Sequence, residues 1–287
     1  MTNKTATLAL ILSLVALLLV IARPAGHESV TPVKQETAFE RVMRTNTLRC
    51  GYGIYPPELV KDANTGALSG YDYDVVSAIG RVLGLKIEWA EESGWGVAEQ
   101  GIITRRYDMF CNGVWPNPNR TKAVLISMPF IYTPVFAIAS SEKKQAEYGT
   151  SWINRPDTSI AVISNTSLDM LADFKFPNAK KFYLSDLSGG GDLAMAVAAG
   201  KADVTFASYG NIKGFMDSNP GKVQIIDQPV LYAAGGFLLP QDDYRLKHMI
   251  DFAITYLLET DAIRDILVKD MPDSQHDWRY PSAEHEP

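Results

Sequence analysis

The chain has 287 residues, of which 46% are hydrophobic and 21% charged, an ordinary composition for a globular protein of one large domain or two medium ones. Its formal net charge at pH 7 is −6. Because no excess of basic residues is available to neutralise phosphates, these values argue against nucleic acid as the main partner.

An apolar segment lies close to the N-terminus. Lys4 is followed by the run "ATLALILSLVALLLVIA" over residues 6–22. This pattern is typical of a secretory signal peptide, and the run is also just long enough to span a bilayer. We predict that residues 1–22 are a cleaved signal peptide, with an uncleaved membrane anchor as the alternative, and either one exports the rest. Residues 23–37 show no hydrophobic period and are predicted to be a linker.

Strand-like and helix-like segments alternate after the linker. The strand "TLRCGYG" comes first, and a helix follows whose apolar residues at 75, 76, 79, 82 and 83 have helical spacing and whose predicted N-cap is Asp74. The strand "KIEWA", the helix "GVAEQGIITRRY" and the strand "DMFC" come next.

The same alternation returns further along the chain. The predicted strands there are "SIAVIS", "KKFYLS" and "DVTFAS", and the predicted helices are "LDMLADF" and "GDLAMAVAAG", the second capped by Asp192. Alternating strands and helices indicate βαβ units and mostly parallel sheets.

Two cysteines, Cys50 and Cys111, lie in the strand-like runs "TLRCGYG" and "DMFCNG". In an oxidising compartment two cysteines suggest one disulfide. A bridge across one sheet, however, needs close geometry that a sequence does not show, and such residues also serve as small buried apolar side chains. We therefore predict two free, buried thiols.

Polar groups follow two of the predicted strands, where the ligand crevice of a parallel sheet is expected. Arg120 follows the "DMFC" strand through the turn "GVWPNPN". Thr166 and Ser167 open a predicted helix that begins near Leu168, and such a helix N-terminus suits an anion. The alternatives are a surface ion pair for Arg120 and simple helix capping for Thr166 and Ser167.

A series of short motifs follows in order along the chain with almost no gaps. They are "LRCGYGIYPPE", "SGYDYD", "WGVAEQGIITRRYD", "CNGVWPNPNR", "ISMPF", "NTS" and "KADVTFAS". Through these motifs, residues 46–272 resemble the family 3 extracellular solute-binding proteins, the amino-acid-type binding subunits of ABC transporters. Each motif is weak alone, but their order and spacing make the resemblance strong.

The resemblance implies an α/β fold of two lobes, the type II architecture of periplasmic binding proteins, with two hinge strands crossing between the lobes. The first lobe is predicted at 38–138 with a return at 232–287 that includes C-terminal helices, and the second lobe at 139–231. The predicted crossing strands are "FAIASS" and "AAGGFLL", in which Gly235 and Gly236 permit hinge rotation.

The resemblance also implies roles for candidate ligand-binding residues. Arg120 stands where the family's arginine grips the carboxylate of a bound amino acid, because a planar guanidinium can hold a carboxylate with two hydrogen bonds. Thr166, beside Ser167, would meet the same carboxylate from the second lobe.

Four candidate positions differ from the family's amino-acid pattern. Ser208 replaces the aspartate that pairs with the ligand ammonium, Glu58 replaces an aromatic residue, and Trp115 and Asn117 replace hydroxyl-bearing residues. Glu58 could meet a cationic group of the ligand or be a solvated loop carboxylate. Trp115 could form a wall of the cleft or fill the lobe surface.

Three further aromatic residues lie near these motifs. All three, Tyr55, Tyr71 and Trp95, are candidate walls of the cleft, and for Tyr71 and Trp95 a place in the core is the favoured alternative.

The resemblance implies a periplasmic substrate-binding protein that captures a small carboxylate-bearing solute, an amino acid or a derivative, and delivers it to an ABC transporter permease. One alternative is a membrane-held sensor or accessory module anchored by residues 6–22. Another is a dehydratase-like enzyme on the same scaffold, for which Glu58 is the candidate acid or base.

The sequence carries no phosphate-binding loop, zinc-protease or nucleophile-elbow motif, and its four histidines show no ligand spacing. We therefore expect a monomeric binding protein with no catalytic residues, no cofactor and no metal.

Overall fold

The strands come from the part of the chain that the computed structural model describes, residues 35–143, 149–226 and 228–271. They are β1 (Thr47–Tyr52), β2 (Val60–Lys61), β3 (Leu68–Ser69), β4 (Lys86–Glu92), β5 (Met109–Val114), β6 (Val124–Ile126), β7 (Ile131–Ser140), β8 (Ser159–Ile163), β9 (Lys180–Leu184), β10 (Val204–Ala207), β11 (Val223–Ile225) and β12 (Leu231–Pro240). The predicted signal peptide or anchor, most of the predicted linker and residues 272–287 lie outside the described residues.

Helices alternate with these strands, as the hydrophobic periods predict. They are α1 (Ala38–Thr45), α2 (Tyr71–Leu83), α3 (Ala98–Ile103), α4 (Arg120–Ala123), α5 (Ser167–Lys175), α6 (Gly190–Ala198), α7 (Tyr209–Ser218), α8 (Tyr244–Glu259) and α9 (Ala262–Asp270). No helix within the described residues is both long and apolar enough to cross a membrane.

One mixed sheet of ten strands forms the frame, with the main order β4-β1-β5-β12-β7-β10-β8-β9. Strand β1 is parallel to both β4 and β5, and β8 is parallel to both β9 and β10. The two parallel groups are the predicted βαβ halves. We call the elements built on β4-β1-β5 the first lobe and those built on β10-β8-β9 the second lobe.

Two long strands join the lobes. The first halves of β7 and β12 pair with each other, Leu231 opposite Val135 and Gly235 opposite Ile131. The second half of β7 then pairs with β10 in the second lobe, and the second half of β12 pairs with β5 and β6 in the first lobe. Each strand therefore belongs to both lobes, which confirms the predicted two-lobed α/β architecture with two crossing hinge strands.

Each lobe has its own apolar core. In the first lobe, Val75 and Ile79 of α2 and Ile250 of α8 are fully buried against the sheet. In the second lobe, Phe206 of β10 stacks on Phe176, with ring centroids 5.3 Å apart. Separate cores allow the two lobes to move as units about the crossing strands.

Cys50 and Cys111 form a disulfide, so the prediction of free thiols is wrong. Strand β5 lies beside β1 with Met109 opposite Cys50, and Cys111 stands two residues further on the same face. The Cα atoms are 5.5 Å apart, within the range that a disulfide spans. The bridge depends on this strand register, which the local pattern around each cysteine does not reveal.

Two helix starts also differ from prediction. Helix α2 begins at Tyr71, so Asp74 lies inside its first turn and Gly70 is the N-cap. The earlier start buries Tyr71 and Asp72. Helix α6 begins after Gly189, and Asp192 accepts a hydrogen bond from the Gly189 backbone N–H at 2.8 Å as the third helical residue.

Candidate functional site

A cavity of about 70 Å³ lies between the lobes, beyond the carboxyl ends of the parallel strands. The first lobe contributes polar and aromatic residues to its wall: Tyr55, Glu58, Trp95, Trp115 and Arg120. The second lobe contributes Thr166 and Ser167 together with apolar side chains of β8, α5 and α6. Six predicted site residues thus meet in one cavity, whereas Asn117 and Ser208 lie outside its lining.

Arg120 is held by groups of its own lobe. Its Nε forms a buried ion pair with the carboxylate of Glu99, with side chains 3% and 9% exposed. Its Nη1 donates to the Trp115 carbonyl at 3.1 Å, and its Nη2 donates to the Trp95 carbonyl at 3.3 Å. Arg120 therefore does form an ion pair, but a buried one at the cavity rather than on the surface. Of five guanidinium N–H groups, three are used and two remain for a ligand.

Glu99 is a further candidate site residue whose role no motif in the sequence indicates. It lies on α3 between Ala98 and Ile102, which are 0% and 2% exposed. An acidic residue on the apolar side of a short helix needs a cation, because an unpaired buried charge is costly. The position of Glu99 among apolar residues indicates that it needs a partner. It does not identify Arg120 as that partner, because Arg120 lies 21 residues further along the chain.

Glu58 follows the Pro56-Pro57 turn and is only 5% exposed, so the solvated-loop alternative is wrong. It accepts a hydrogen bond from Nδ2 of Asn211 at 3.4 Å, and the Tyr71 side chain lies next to it. Burial raises the pKa of Glu58 to about 8, against its usual value of 4.5.

Asp72 lies close to Glu58 and is fully buried. Its Oδ2 accepts from the Gly113 backbone N–H at 2.9 Å, and its Oδ1 has no hydrogen-bond partner among the described residues. Burial, and then the charge of Glu58, raise the pKa of Asp72 well above its usual range. Glu58 in the cavity wall and Asp72 behind it therefore both favour their protonated forms when no cation is near.

Aromatic side chains form one wall of the cavity. Tyr55 and Trp95 meet edge to face with ring centroids 5.1 Å apart, and Trp95 meets Phe110 in the same way at 5.8 Å. Trp95 lines the cavity and also packs against a core cluster of the first lobe, whereas Tyr71 is 4% exposed within the first-lobe core. Burial raises the pKa of the Tyr55 hydroxyl, which stays protonated.

Two second-lobe residues at the N-terminus of α5 have different partners. Thr166 caps the helix by accepting from the Asp169 N–H at 3.3 Å, and its hydroxyl donates to the Ile163 carbonyl at 2.7 Å. The Ser167 hydroxyl instead donates across the cleft to the Trp115 carbonyl at 2.6 Å. Thr166 therefore has the capping role as well as a place in the cavity wall.

A second contact crosses the cleft near Glu58. Ser208 caps α7, and its hydroxyl hydrogen-bonds Asn211. Nδ2 of Asn211 donates to the Pro56 carbonyl at 3.2 Å and to Glu58. Ser208 thus reaches the cavity through Asn211 rather than directly. Direct hydrogen bonds between the lobes flank the cavity on both sides.

Asn117 has a structural role and lies beside a second cavity. Its Oδ1 accepts from the Arg120 backbone N–H at 2.8 Å, which fixes the start of α4. It lines, with Trp115, a largely apolar cavity of about 800 Å³ between α5 and the crossing strand β12.

Solved structures of known proteins share the two-lobed fold. An ancestral amino acid-binding protein that is a precursor of cyclohexadienyl dehydratase matches with a TM-score of 0.69 at 21% identity, covering 81% of this chain and 99% of that one. An ancestral arginine-binding protein bound to arginine matches with a TM-score of 0.66 at 19% identity, covering 79% and 98%. At these identities the likeness establishes the fold.

A relative found by sequence comparison matches a shorter part of the chain at a higher identity. The "Probable amino-acid ABC transporter-binding protein" of Haemophilus influenzae is 34% identical over 95 residues, which is 33% of this chain and 36% of that protein. The aligned region thus spans about a third of that relative's length. The model of the bacterial extracellular solute-binding proteins, family 3, covers much more, residues 48–269. With a two-lobed fold, a cavity between the lobes and this match over most of its length, the chain belongs to family 3 of the bacterial extracellular solute-binding proteins.

Proposed function

We propose that this protein captures a small solute between its two lobes and delivers it to an ABC transporter permease. The observation that carries the proposal is the cavity lined by both lobes where β7 and β12 cross between them. A ligand that touches both lobes favours the closed arrangement, and a permease can recognise that arrangement. We further propose that the lobes are residues 38–138 with 232–287 and 139–231, as the sequence predicts.

The proposed solute is an amino acid or a derivative of one. The named relatives include an amino-acid transporter-binding protein and a protein bound to arginine, which supports this class. A ligand carboxylate would lie between the two remaining N–H groups of Arg120 and the N-terminus of α5 at Thr166 and Ser167.

The proposed location is the periplasm, with residues 1–22 exporting the chain as a cleaved signal peptide or holding it at the membrane. The family's extracellular description supports export. An uncleaved segment would favour a membrane-held sensor instead of a freely diffusing carrier.

A second candidate function is catalysis in the same cavity. The buried Glu58, whose pKa is raised to about 8, would be protonated at neutral pH and could donate a proton to a bound substrate. One structural relative is a precursor of a dehydratase, which makes prephenate and arogenate suitable test substrates. Product formation that Glu58→Gln abolishes would establish this alternative.

A thermal-shift screen of the purified protein against amino acids, amines and carboxylates tests the proposed function. A ligand at about a hundred times its Kd should add roughly 2.7 kcal/mol to the free energy of unfolding. A screen in which no small solute of these classes stabilises the protein would contradict the proposal.

A further inference from the structure

We propose that the ligand of this cavity is a small organic cation, an amine or a guanidinium compound held at Glu58, and that a carboxylate on the ligand is dispensable. The inference rests on the proposed function, because it names the chemical class of the solute that the cavity takes. It follows from the balance of charges around the cavity.

Arg120 is the basic residue among those that line the cavity. Glu99 lies directly on the guanidinium, and both side chains are at least nine-tenths buried. A ligand carboxylate that approaches Arg120 therefore meets a pair whose charges already cancel, and its attraction to the arginine is opposed by repulsion from Glu99. Two backbone carbonyls occupy further N–H groups of the same guanidinium. Arg120 thus has a counter-ion without any ligand.

Glu58, unlike Arg120, has no counter-ion for its carboxylate form in the described part of the chain. Among the residues that the structure describes, no ion pair to Glu58 is present, and its contacts are the neutral groups of Tyr71 and Asn211. Asp72 lies behind it with one carboxylate oxygen unpartnered. In the empty site Glu58 avoids an unpaired buried charge by holding a proton, and a cation brought by the ligand would supply the counter-charge that its ionised form needs.

Aromatic side chains form the cavity wall around Glu58. Tyr55, Trp95 and Trp115 line the same cavity, and aromatic faces attract cations, particularly amines and guanidinium groups that have left water. Asp192 of α6 adds negative charge beside Tyr55. The charged group next to Glu58 is therefore the acid Asp72, Asp192 is a further acid near Tyr55, and Arg120 is already paired.

Protonation of Glu58 gives the proposal a second measurable consequence. Burial raises the pKa of Glu58 to about 8, so at pH 7 most of the empty sites carry a proton there. A cation beside Glu58 would stabilise its ionised form and lower that pKa. Binding at pH 7 should then release close to one proton, and the affinity should rise as the pH increases from 6 to 8.

Matched ligands separate the cation from the carboxylate. We would measure binding to the full exported protein by calorimetry at pH 7 with arginine and agmatine, and with lysine and cadaverine, since each amine lacks only the carboxylate of its partner. Citrulline and norleucine serve as neutral counterparts of arginine and lysine. We expect at least one amine to bind within about tenfold of its amino acid, and the matching neutral compound to bind at least a hundredfold more weakly.

One variant and its matched control test whether the cation binds at Glu58. Glu58→Gln should weaken binding of the cation at least tenfold and abolish proton release, measured in buffers of different ionisation enthalpy. Glu92→Gln is the control, because Glu92 is an exposed first-lobe carboxylate paired with Lys61 outside the cavity. The control should bind like the parent.

The outcomes distinguish the inference from the proposed function. Tighter binding of a neutral or acidic amino acid than of every cation would overturn the inference and leave the proposed function standing. Binding of arginine or lysine with no binding of either amine would do the same, as would unchanged cation binding by a folded Glu58→Gln variant. No binding of any amino acid, amine or carboxylate would overturn both.

Discussion

Arg120 and Glu99 form a buried ion pair at the edge of the cavity, and the same guanidinium also binds two backbone carbonyls. The pair joins α3 to the start of α4, so it organises one wall of the cavity before any ligand arrives. Mutation of Arg120 therefore tests folding as well as binding.

We expect Arg120→Ala to lower the free energy of unfolding by about 3–5 kcal/mol, because it leaves Glu99 buried without a counter-ion. Urea titration followed by circular dichroism measures this loss. The double variant Arg120→Met with Glu99→Leu should lose much less, since no unpaired charge remains. An Arg120→Ala variant as stable as the parent would show that the ion pair has no structural role.

We expect the disulfide between Cys50 and Cys111 to stabilise the protein by about 4 kcal/mol, because it closes a loop of 61 residues in the unfolded chain. Urea titration of Cys50→Ala with Cys111→Ala measures the contribution. Alkylation of the denatured, non-reduced protein should give no label by intact mass, and two labels after reduction. Two labels without reduction would contradict the bridge.

We expect the free energy of unfolding to fall as the pH rises from about 5 to 8. The folded state holds a proton on Glu58 up to a pKa of about 8, whereas the unfolded chain loses it near its usual pKa of 4.5. The stabilising contribution is complete below the lower value and is lost as the pH rises through the higher one. One such group gives a slope of at most about 1.4 kcal/mol per pH unit.

The variant Glu58→Gln identifies the group responsible for that slope. Denaturant titrations at several pH values should show a flatter dependence for the variant than for the parent. Asp72, whose pKa is also raised, should retain its own part of the dependence. An unchanged slope in Glu58→Gln would show that Glu58 titrates normally in the folded protein.

We expect Ser167→Ala to favour separation of the lobes, because it removes the hydrogen bond from Ser167 to the Trp115 carbonyl across the cleft. The free energy that favours the closed over the open arrangement of the lobes should fall by about 0.5–1.5 kcal/mol. Small-angle X-ray scattering without ligand should give a larger radius of gyration. The exposed Ser218→Ala is the control, and equal radii for the two variants would argue against a role for this contact.

We expect N-terminal sequencing of the natively expressed protein to begin at Arg23 or close to it, because the apolar run ends in "VIA" before this residue. An intact Met1 or Thr2 on membrane-bound protein would instead establish an anchor.

Much of the fold could be predicted because its signals are local. The period of apolar residues at 75, 76 and 79 identified α2, and the alternation of strands and helices identified two parallel groups. The start of this helix could not be predicted in the same way. Asp74 is a good capping residue, but the helix begins earlier, after Gly70, because Tyr71 and Asp72 are buried.

The candidate site was predictable in position and less so in chemistry. The turn after β5 and the start of α5 showed where Arg120 and Thr166 would stand. The Glu99 partner and the Cys50–Cys111 bridge depend on strand register and helix orientation, which no short pattern contains. These long-range contacts decide which charges remain available to a ligand.

The disulfide has a consequence for recognition. The loop that leaves β1 carries Glu58, and the loop that leaves β5 carries Arg120, so the bridge between Cys50 and Cys111 fixes the bases of both loops relative to each other. The Glu58 and Arg120 side chains at the cavity are thereby preorganised, and less conformational entropy is lost when a solute arrives. Reduction should therefore slow capture and weaken affinity even though neither cysteine touches the cavity.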